Sequence, residues 1–396
     1  MPKLDYLVEL YIFADSSKLC MQALYFYPNY LLLIAGLFLI AIMIQLFYYW
    51  YFFGRLAFYR RPTTETPDQP VSVVICAHNE AYSLLQNLPL ILEQDYPDYE
   101  VIVVNDTSTD ESKEILLELS QIYPNLKIVN VSNSVTFFRS KKFPLSVGIK
   151  SAQNEILLLT DADCIPASNQ WIRNMQARFT DQTSIVLGFS PYPKKPGLLN
   201  LLIRFDTFHI ALQYFSYALA GLPYMGVGRN LAYRKSLFYE QKGFISHYKI
   251  GPGDDDLFVN GAATRRNTVI EIEKNSHTIS KLNTSLAAWI IQKRRHFTTG
   301  EHYRTKFKVV LGIYSGSGIA YYLLLAALLI FKFEFYWILG IHAFRMITRL
   351  VLMGLASKKL NQKSLFLSSL LLDPFFAFFN PFLAMSNTVS PSQPWK

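Results

Sequence analysis

Cysteine is scarce. The 396-residue chain has three, Cys20, Cys76 and Cys164, and none stands at the spacing of a metal or redox pair. That leaves no basis for a disulfide framework and fits a reducing compartment for the central region. Zinc-finger spacings and RNA-recognition signatures are missing too, so the net charge of +9 does not point to nucleic acid. The chain is also 51% hydrophobic and 15% aromatic. Basic charge combined with apolar spans points to a phospholipid bilayer with anionic head groups.

Charge is absent altogether from Tyr30 to Phe53, a stretch long enough to cross a bilayer. Its aromatic end, followed by Arg55, Arg60 and Arg61, reads as the cytoplasmic end of a spanning helix 30–53. Residues 1–29 have no basic region directly before that span and no small-residue cleavage site after it. They read as an N-terminal segment along the outer face, not as a signal peptide. A second uncharged run, 309–331, follows Lys293, Arg294, Arg295, Arg304, Lys306 and Lys308, which put its start on the cytoplasmic side. Segment 335–356 carries Arg345 and Arg349, and segment 364–385 carries Asp373-Pro374 and Asn380-Pro381. Each is a span whose polar residues face protein or water, or else an interfacial or re-entrant helix. The expectation is an integral membrane protein of a bacterial inner or plasma membrane, with residues 63–307 as a cytoplasmic domain.

After the Pro- and Thr-rich linker "RPTTETPDQP", that domain has a regular rhythm. Strands are expected at 71–77, 100–104, 126–131 and 156–160. Helices are expected at 81–94, 110–122 and 143–152. Such alternation predicts an α/β fold with a doubly wound, mainly parallel sheet and helices on both faces. Ligands bind such sheets outside the carboxyl ends of the strands. Polar residues stand there: His78, Asn79 and Glu80 after the first strand, Asn105 and Asp106 after the second, Asp161 and Asp163 after the fourth.

Two carboxylates at i and i+2 of an extended chain point the same way. Asp161 and Asp163 therefore suit Mg²⁺ or Mn²⁺, hard cations that take carboxylate and phosphate oxygens. The plainer alternative is a helix cap or Asx turn before "PASNQW". "GPGDDDLF" offers carboxylates either as a general base or as the cap of a helix starting near Leu257. "QKRRH" can meet phosphate, or can be a juxtamembrane basic patch. Gly226, Gly228 and Asn230 can be a turn before the strand "LAYR". His209, His247, His277 and His302 have no metal-like spacing and read as structural.

In order, "CAHNE", "VVNDTSTD", "TDADC", "GVGRNLAYRK", "GPGDDDLF" and "QKRRH" resemble a family 2 glycosyltransferase, inverting, GT-A in fold and membrane-anchored, over about residues 71–297. The resemblance implies a GT-A, Rossmann-like domain flanked by N- and C-terminal transmembrane helices. It implies a nucleotide-sugar donor, UDP-linked by preference, bound through Mg²⁺ or Mn²⁺. Ala77, His78, Asn79, Glu80 and Asp106 would meet the base and ribose, with Lys142 near the nucleotide. Asp161 would lie nearer the ribose and sugar, and Asp163 would ligate the metal. Gly228, Arg229 and Asn230 would line the acceptor and sugar pocket. Asp254 and Asp255 would be the acidic pair, with Asp255 as base. Gln292, Arg294, Arg295 and His296 would occupy the Q-x-x-R-W motif at the acceptor and diphosphate. His296 stands where processive synthases carry tryptophan. Transfer to a membrane lipid or a polyprenyl-linked acceptor is therefore favoured over polymer synthesis, which remains the alternative. A transporter reading would leave 63–307 without a role, and a sensor with dead chemistry would need no acidic pair.

Overall fold

Backbone amides in an apolar segment must satisfy one another, and the uncharged run after Asn29 does so as a helix. Helix α1 spans residues 29–47, passes through a π-helical segment (Tyr48–Phe53) and ends in α2 (Gly54–Ala57). The computed structural model describes residues 29–62, 67–131, 140–281 and 285–389. The expected N-terminal segment, apart from Asn29, lies outside them. The chain divides into two compact units.

One unit takes the described residues up to Tyr48 with Gly312–Thr348. Its core packs Leu31, Ile34, Phe38 and Ile42 against Tyr321, Leu325, Leu328 and Ile338. Polar groups here turn inward. The Gln45 amide donates to the Tyr314 carbonyl at 3.0 Å and the Ser317 hydroxyl at 2.7 Å. Arg345 lies 3.8 Å from the Tyr321 ring centroid and donates to Gln45 Oε1 at 3.2 Å.

The other unit, Tyr49–Leu311 and the described residues from Arg349 on, holds the sheet domain. Its elements run β1 (Val71–Ala77), α3 (Ala81–Leu92), β2 (Tyr99–Asp106), α4 (Ser112–Ile122), β3 (Leu126–Val131), α5 (Lys142–Ser151) and β4 (Ile156–Asp161). They continue as β5 (Cys164–Pro166), α6 (Trp171–Gln176), β6 (Ile185–Leu187), α7 (Leu198–Leu219), β7 (Leu231–Arg234), α8 (Lys235–Glu240) and α9 (Asp256–Ala262). Then come β8 (Thr268–Ile270), β9 (Thr278–Ser280) and α10 (Leu286–Gly300). The seven-stranded sheet has the order β3-β2-β1-β4-β7-β6-β8, and β5 pairs with β9 in a two-stranded sheet. Strands β1 to β4 are parallel where they pair, whereas β7 runs antiparallel to both β4 and β6.

The expected strands and helices are all present, with ends shifted by a few residues. Helix α4 starts at Ser112, not Asp110, because the Asp110 carboxylate acts as a bracket. It accepts from the Ala81 amide at 3.0 Å and the Ser112 amide at 3.1 Å. Helix α5 lies directly on the sheet at Gly148, where a Cβ would come within 2.7 Å of Val74 Cγ1 and 2.8 Å of Val104 Cγ2.

Four helices among the described residues are long and apolar enough to cross a membrane: Asn29–Ala57, α11 (Thr305–Ile330), α12 (Phe335–Lys359) and Ser369–Asn387 within α13 (Ser369–Val389). Of the charges that complicated the last two, Arg349 and Asp373 are paired. Arg349 bridges to Asp373 at 2.8 Å and donates to the Ser369 carbonyl at 2.7 Å. Past α2, Arg61 bonds the fully buried Glu271 carboxylate at 2.9 Å, and Arg178 stands 3.6 Å from the same oxygen.

Asn230, 0% exposed, ties three segments of the sheet domain together. Its side-chain oxygen accepts from Trp171 Nε1 at 3.1 Å, and its amide donates to the carbonyls of Phe189 at 2.9 Å and Ser276 at 2.8 Å. Removing it leaves the Trp171 indole N–H and the Ser276 carbonyl without these bonds in the core, while Phe189 keeps the Thr278 amide. Asn230→Ala should cost about 2–4 kcal/mol of stability, read as a lower melting temperature of the detergent-solubilised protein. An unchanged melt would contradict this role.

Candidate active site

Parallel strands that start level also end level. In the β1–β2 and β1–β4 pairs, Cys76 lies opposite Val104 and Asp161, so the polar residues after these strands emerge side by side. Strand β7 reaches the same edge from the opposite direction. With Leu159 opposite Leu231, the residues that precede β7 lie beside those that follow β4. This is why Arg229 comes close enough to Asp161 and Asp163 to act on both charges.

The loops after β1 and β2 interlock. His78 Nδ1–H donates to the Asp106 carbonyl at 2.6 Å. Asn79, at φ 55, takes a left-handed conformation that asparagine tolerates. Its side-chain oxygen accepts from the Thr109 amide at 2.8 Å. The Glu80 amide donates to Ser112 Oγ at 3.0 Å. Ala77 ends the buried strand. Burial raises the Asp106 carboxyl pKa, partly offset by His78.

Asp161, Asp163 and Cys164 offer ligand atoms that lie within 4.8 Å of one another. Desolvation works against the charge on Asp161, but Lys141 first, then Arg229 and Arg295, outweigh it and hold its carboxyl below the usual range. Its side chain keeps 34% exposure, so cleft water screens part of this. Asp163 goes the other way, pushed up to about 6 by burial first and by the Asp161 charge second. One carboxylate is thus matched by an ammonium, while the other carries a charge the protein does not neutralise in full. That donor set fits Mg²⁺ or Mn²⁺, with phosphate oxygens and water completing the shell. The Cys164 thiol, raised by burial, stays protonated and is a poor ligand.

Lysine 141 is the residue the sequence did not single out. Its ammonium bonds Asp161 Oδ1 and lies 3.8 Å from Asp254 Oδ2. Lys142, expected near the nucleotide, is buried and turned elsewhere. It donates to the carbonyls of Ile250, of Gly251 at 3.5 Å and of Pro252 at 2.6 Å. Lys142 therefore fastens the loop leading to Asp254, and Lys141 faces the carboxylates.

Asp255 Oδ1 accepts from the Asp256 amide at 2.7 Å, and its Oδ2 accepts from the Gly228 amide at 2.7 Å. Desolvation raises the Asp254 carboxyl, Lys141 opposes that, and Asp255 and Asp161 add to the rise. Arg229 donates to Ser280 Oγ at 2.7 Å and stacks 4.9 Å from the Tyr192 centroid.

On α10, Gln292, Arg295 and His296 share a face at i, i+3 and i+4. Arg295 is near enough to lower the Asp161 carboxyl, and His296 feels Arg295, Arg229 and Asp161. Arg294 does not join them. It donates to Asn387 Oδ1 at 2.9 Å and the Ser386 carbonyl at 3.2 Å on α13, and Asn387 returns a bond to its carbonyl at 2.7 Å. Asn230 is likewise held in the core, away from the cleft.

The pKa of Asp163 fixes the sign of a stability effect. A folded-state pKa raised to about 6 means the charged form is disfavoured by folding. The cost is absent below the ordinary carboxylate pKa and is fully present above about 6. Asp163→Asn should therefore raise the melting temperature of the metal-free protein at pH 8 and by much less at pH 4. Equal gains at both pH values would rule out electrostatic strain at this position.

Residues 72–241 match the family described as Glycosyl transferase family 2. A 104-residue stretch is 35% identical to the glycosyltransferase AglE of Haloferax volcanii and covers 26% of this chain and 33% of that protein. A 120-residue stretch is 29% identical to the poly-beta-1,6-N-acetyl-D-glucosamine synthase of Staphylococcus epidermidis, covering 30% of this chain and 28% of that one. The chain thus spans about a third of the length of these curated relatives. Among solved structures, the mannosyltransferase PcManGT of Pyrobaculum calidifontis, in complex with GDP-Man and Mn²⁺, superposes with a TM-score of 0.59 at 18% identity, over 92% of this chain and 99% of that one. At that identity the likeness speaks for the fold. A mainly parallel sheet, the carboxylate cluster at its carboxyl edge and these matches together identify residues 72–241 as a glycosyl transferase family 2 domain of GT-A-type fold.

Proposed function

We propose that this protein is an inverting glycosyltransferase that moves a sugar from a nucleoside-diphosphate donor to a hydroxyl of a membrane-associated acceptor. One observation carries the reading: Lys141, Arg229 and Arg295 converge on Asp161, and Arg229 also acts on Asp163, at the carboxyl edge of the sheet. Cations around a carboxylate pair suit a group that brings negative oxygens and a divalent metal together. Asp163 and Asp161 would hold Mg²⁺ or Mn²⁺, which supplies charge neutralisation for the departing diphosphate. Arg229 and Arg295 donate to the same developing charge. His78, Asn79, Glu80 and Asp106 face the base and ribose.

The acceptor oxygen attacks the anomeric carbon from the face opposite the diphosphate. Its O–H proton passes to a carboxylate, the carbon–oxygen bond to phosphate breaks, and the configuration inverts. Asp255 is the base by motif likeness. Asp254 is favoured by a separate observation: both Asp255 oxygens already accept backbone amides, whereas desolvation raises the basicity of Asp254. The variant that loses kcat by roughly 10²–10⁴-fold with donor affinity intact identifies the base; Asp254→Asn is expected to do so and Asp255→Asn to weaken it less. The reverse order would return the role to Asp255.

The acceptor we favour is a lipid or polyprenyl-linked saccharide at the cytoplasmic face of a bacterial plasma membrane. Arg55, Arg60 and Arg61 after the first span and Lys306 and Lys308 at the second support that orientation. Leu286 and Ile291, 51% and 58% exposed on α10, give the domain an apolar rim beside the cleft. The Staphylococcus epidermidis relative keeps a polymerising role open, and His296 in place of tryptophan weighs against it.

Calorimetric titration with UDP, GDP and their sugars tests the donor site directly. Nucleotide binding should require Mn²⁺, vanish with EDTA and vanish in Asp163→Ala. Binding that survives EDTA would remove the metal from the reading. No binding of any nucleotide would overturn the transferase assignment.

A further inference from the structure

We propose that Asp256 is a positioning residue that locks the acidic pair and the Arg295-bearing helix into one register, so that the two halves of the transfer site form together. The inference rests on the transferase reading above. Asp256 follows Asp255 directly and opens α9, yet its carboxylate does not face the cleft. Oδ2 accepts from the Thr299 hydroxyl and from the Tyr303 hydroxyl at 2.8 Å. Oδ1 accepts from the Leu257 amide at 2.7 Å. Thr299 is four residues past Arg295 on α10, one turn further along the same stripe. A bond from Asp256 to Thr299 therefore sets how far Arg295 stands from Asp255.

Further contacts make α9 the common fastening for three segments. The Asn260 side-chain amide donates to the Tyr224 carbonyl at 2.8 Å, and its oxygen accepts from the Arg304 amide at 3.0 Å. The Tyr224 and Tyr303 rings meet edge-on, centroids 5.9 Å apart. At the front of α9, the Gly228 amide bonds Asp255. Gly226 presses against Val259 so closely that a Cβ would stand 3.1 Å from its methyl. The 224–228 segment, α10 and the turn after it thus all hang on seven residues, Asp256–Ala262.

A carboxylate is a costly choice for a purely structural joint. Asp256 is 7% exposed, and burial, then the Asp255 charge, push its carboxyl up to about 7. An apolar contact would hold α9 against α10 without that penalty. What the hydroxyl-to-carboxylate bonds add is a fixed distance and direction. The transfer needs that, because proton acceptance at Asp254 or Asp255 and diphosphate stabilisation at Arg295 occur in the same step.

The test uses the full chain in lipid nanodiscs, with Asp256→Asn and the double variant Thr299→Val/Tyr303→Phe. Asp256→Asn should lower kcat by about 10-fold or more, since displacements near 1 Å can cost up to ~100-fold, while donor affinity by calorimetry holds. The double variant should reproduce the loss, and combining all three changes should add nothing to it. Unchanged kcat in Asp256→Asn, or losses that multiply on combination, would overturn the proposal. If Asp256→Asn fails to fold, the double variant carries the comparison alone. Hydrogen exchange separates this idea from the function it rests on. Should the wild type transfer no sugar, Asp256→Asn must still deprotect residues 292–303 and 224–228 together. Deprotection of α9 alone would sink the lock whatever the activity.

Discussion

Like charge crowded at one sheet edge is the constraint from which the sheet domain is best understood. Asp161, Asp163, Asp254 and Asp255 gather where β1, β4 and β7 meet, and each carboxylate raises the cost of its neighbours. The fold answers with cations from separate places. Lys141 comes from the residue before α5, Arg229 from the loop before β7 and Arg295 from α10. Backbone amides of Gly228 and Asp256 hold Asp255. What remains is a local excess of negative charge on Asp163, in a cleft that water still reaches.

The antiparallel strand β7 makes this gathering possible. A fully parallel sheet would have delivered its loops after each strand only. By entering from the far side, β7 places the residues before it at the shared edge, where Arg229 acts on Asp161 and the Gly228 amide reaches Asp255. Asn230, the next residue, turns into the core and holds that entry in place through Trp171, Phe189 and Ser276. Cleft and core are thus served by adjacent residues of one short loop.

Much of this was readable in the amino-acid order. The alternation of apolar runs and amphipathic stretches gave β1 through β4 and their helices, and the polar ends of those strands marked the site edge. What escaped is a matter of rotation and pairing. Lys141 and Lys142 are neighbours, and only the angle at which α5 leaves its loop decides which one meets Asp161. Arg294 and Arg295 differ in the same way, one facing α13 and the other the cleft. The motif resemblance puts Asn230 in the pocket, but nothing local says that a buried indole needs its side-chain oxygen. The direction of β7 is equally invisible to periodicity, since strands of either sense alternate alike.

Arg61 sits a few residues beyond α2, and its guanidinium closes on a carboxylate from which water is excluded. A tether anchored that firmly behaves as a bracket between the residues just past α2 and the sheet domain. The practical consequence concerns anyone trimming the protein to its sheet domain for study in solution. Cutting before Val71 would leave Glu271 sharing its burial with Arg178 alone. The excised domain would then lack an ion pair that the intact chain has, so weak behaviour in such a fragment would say little about the full chain.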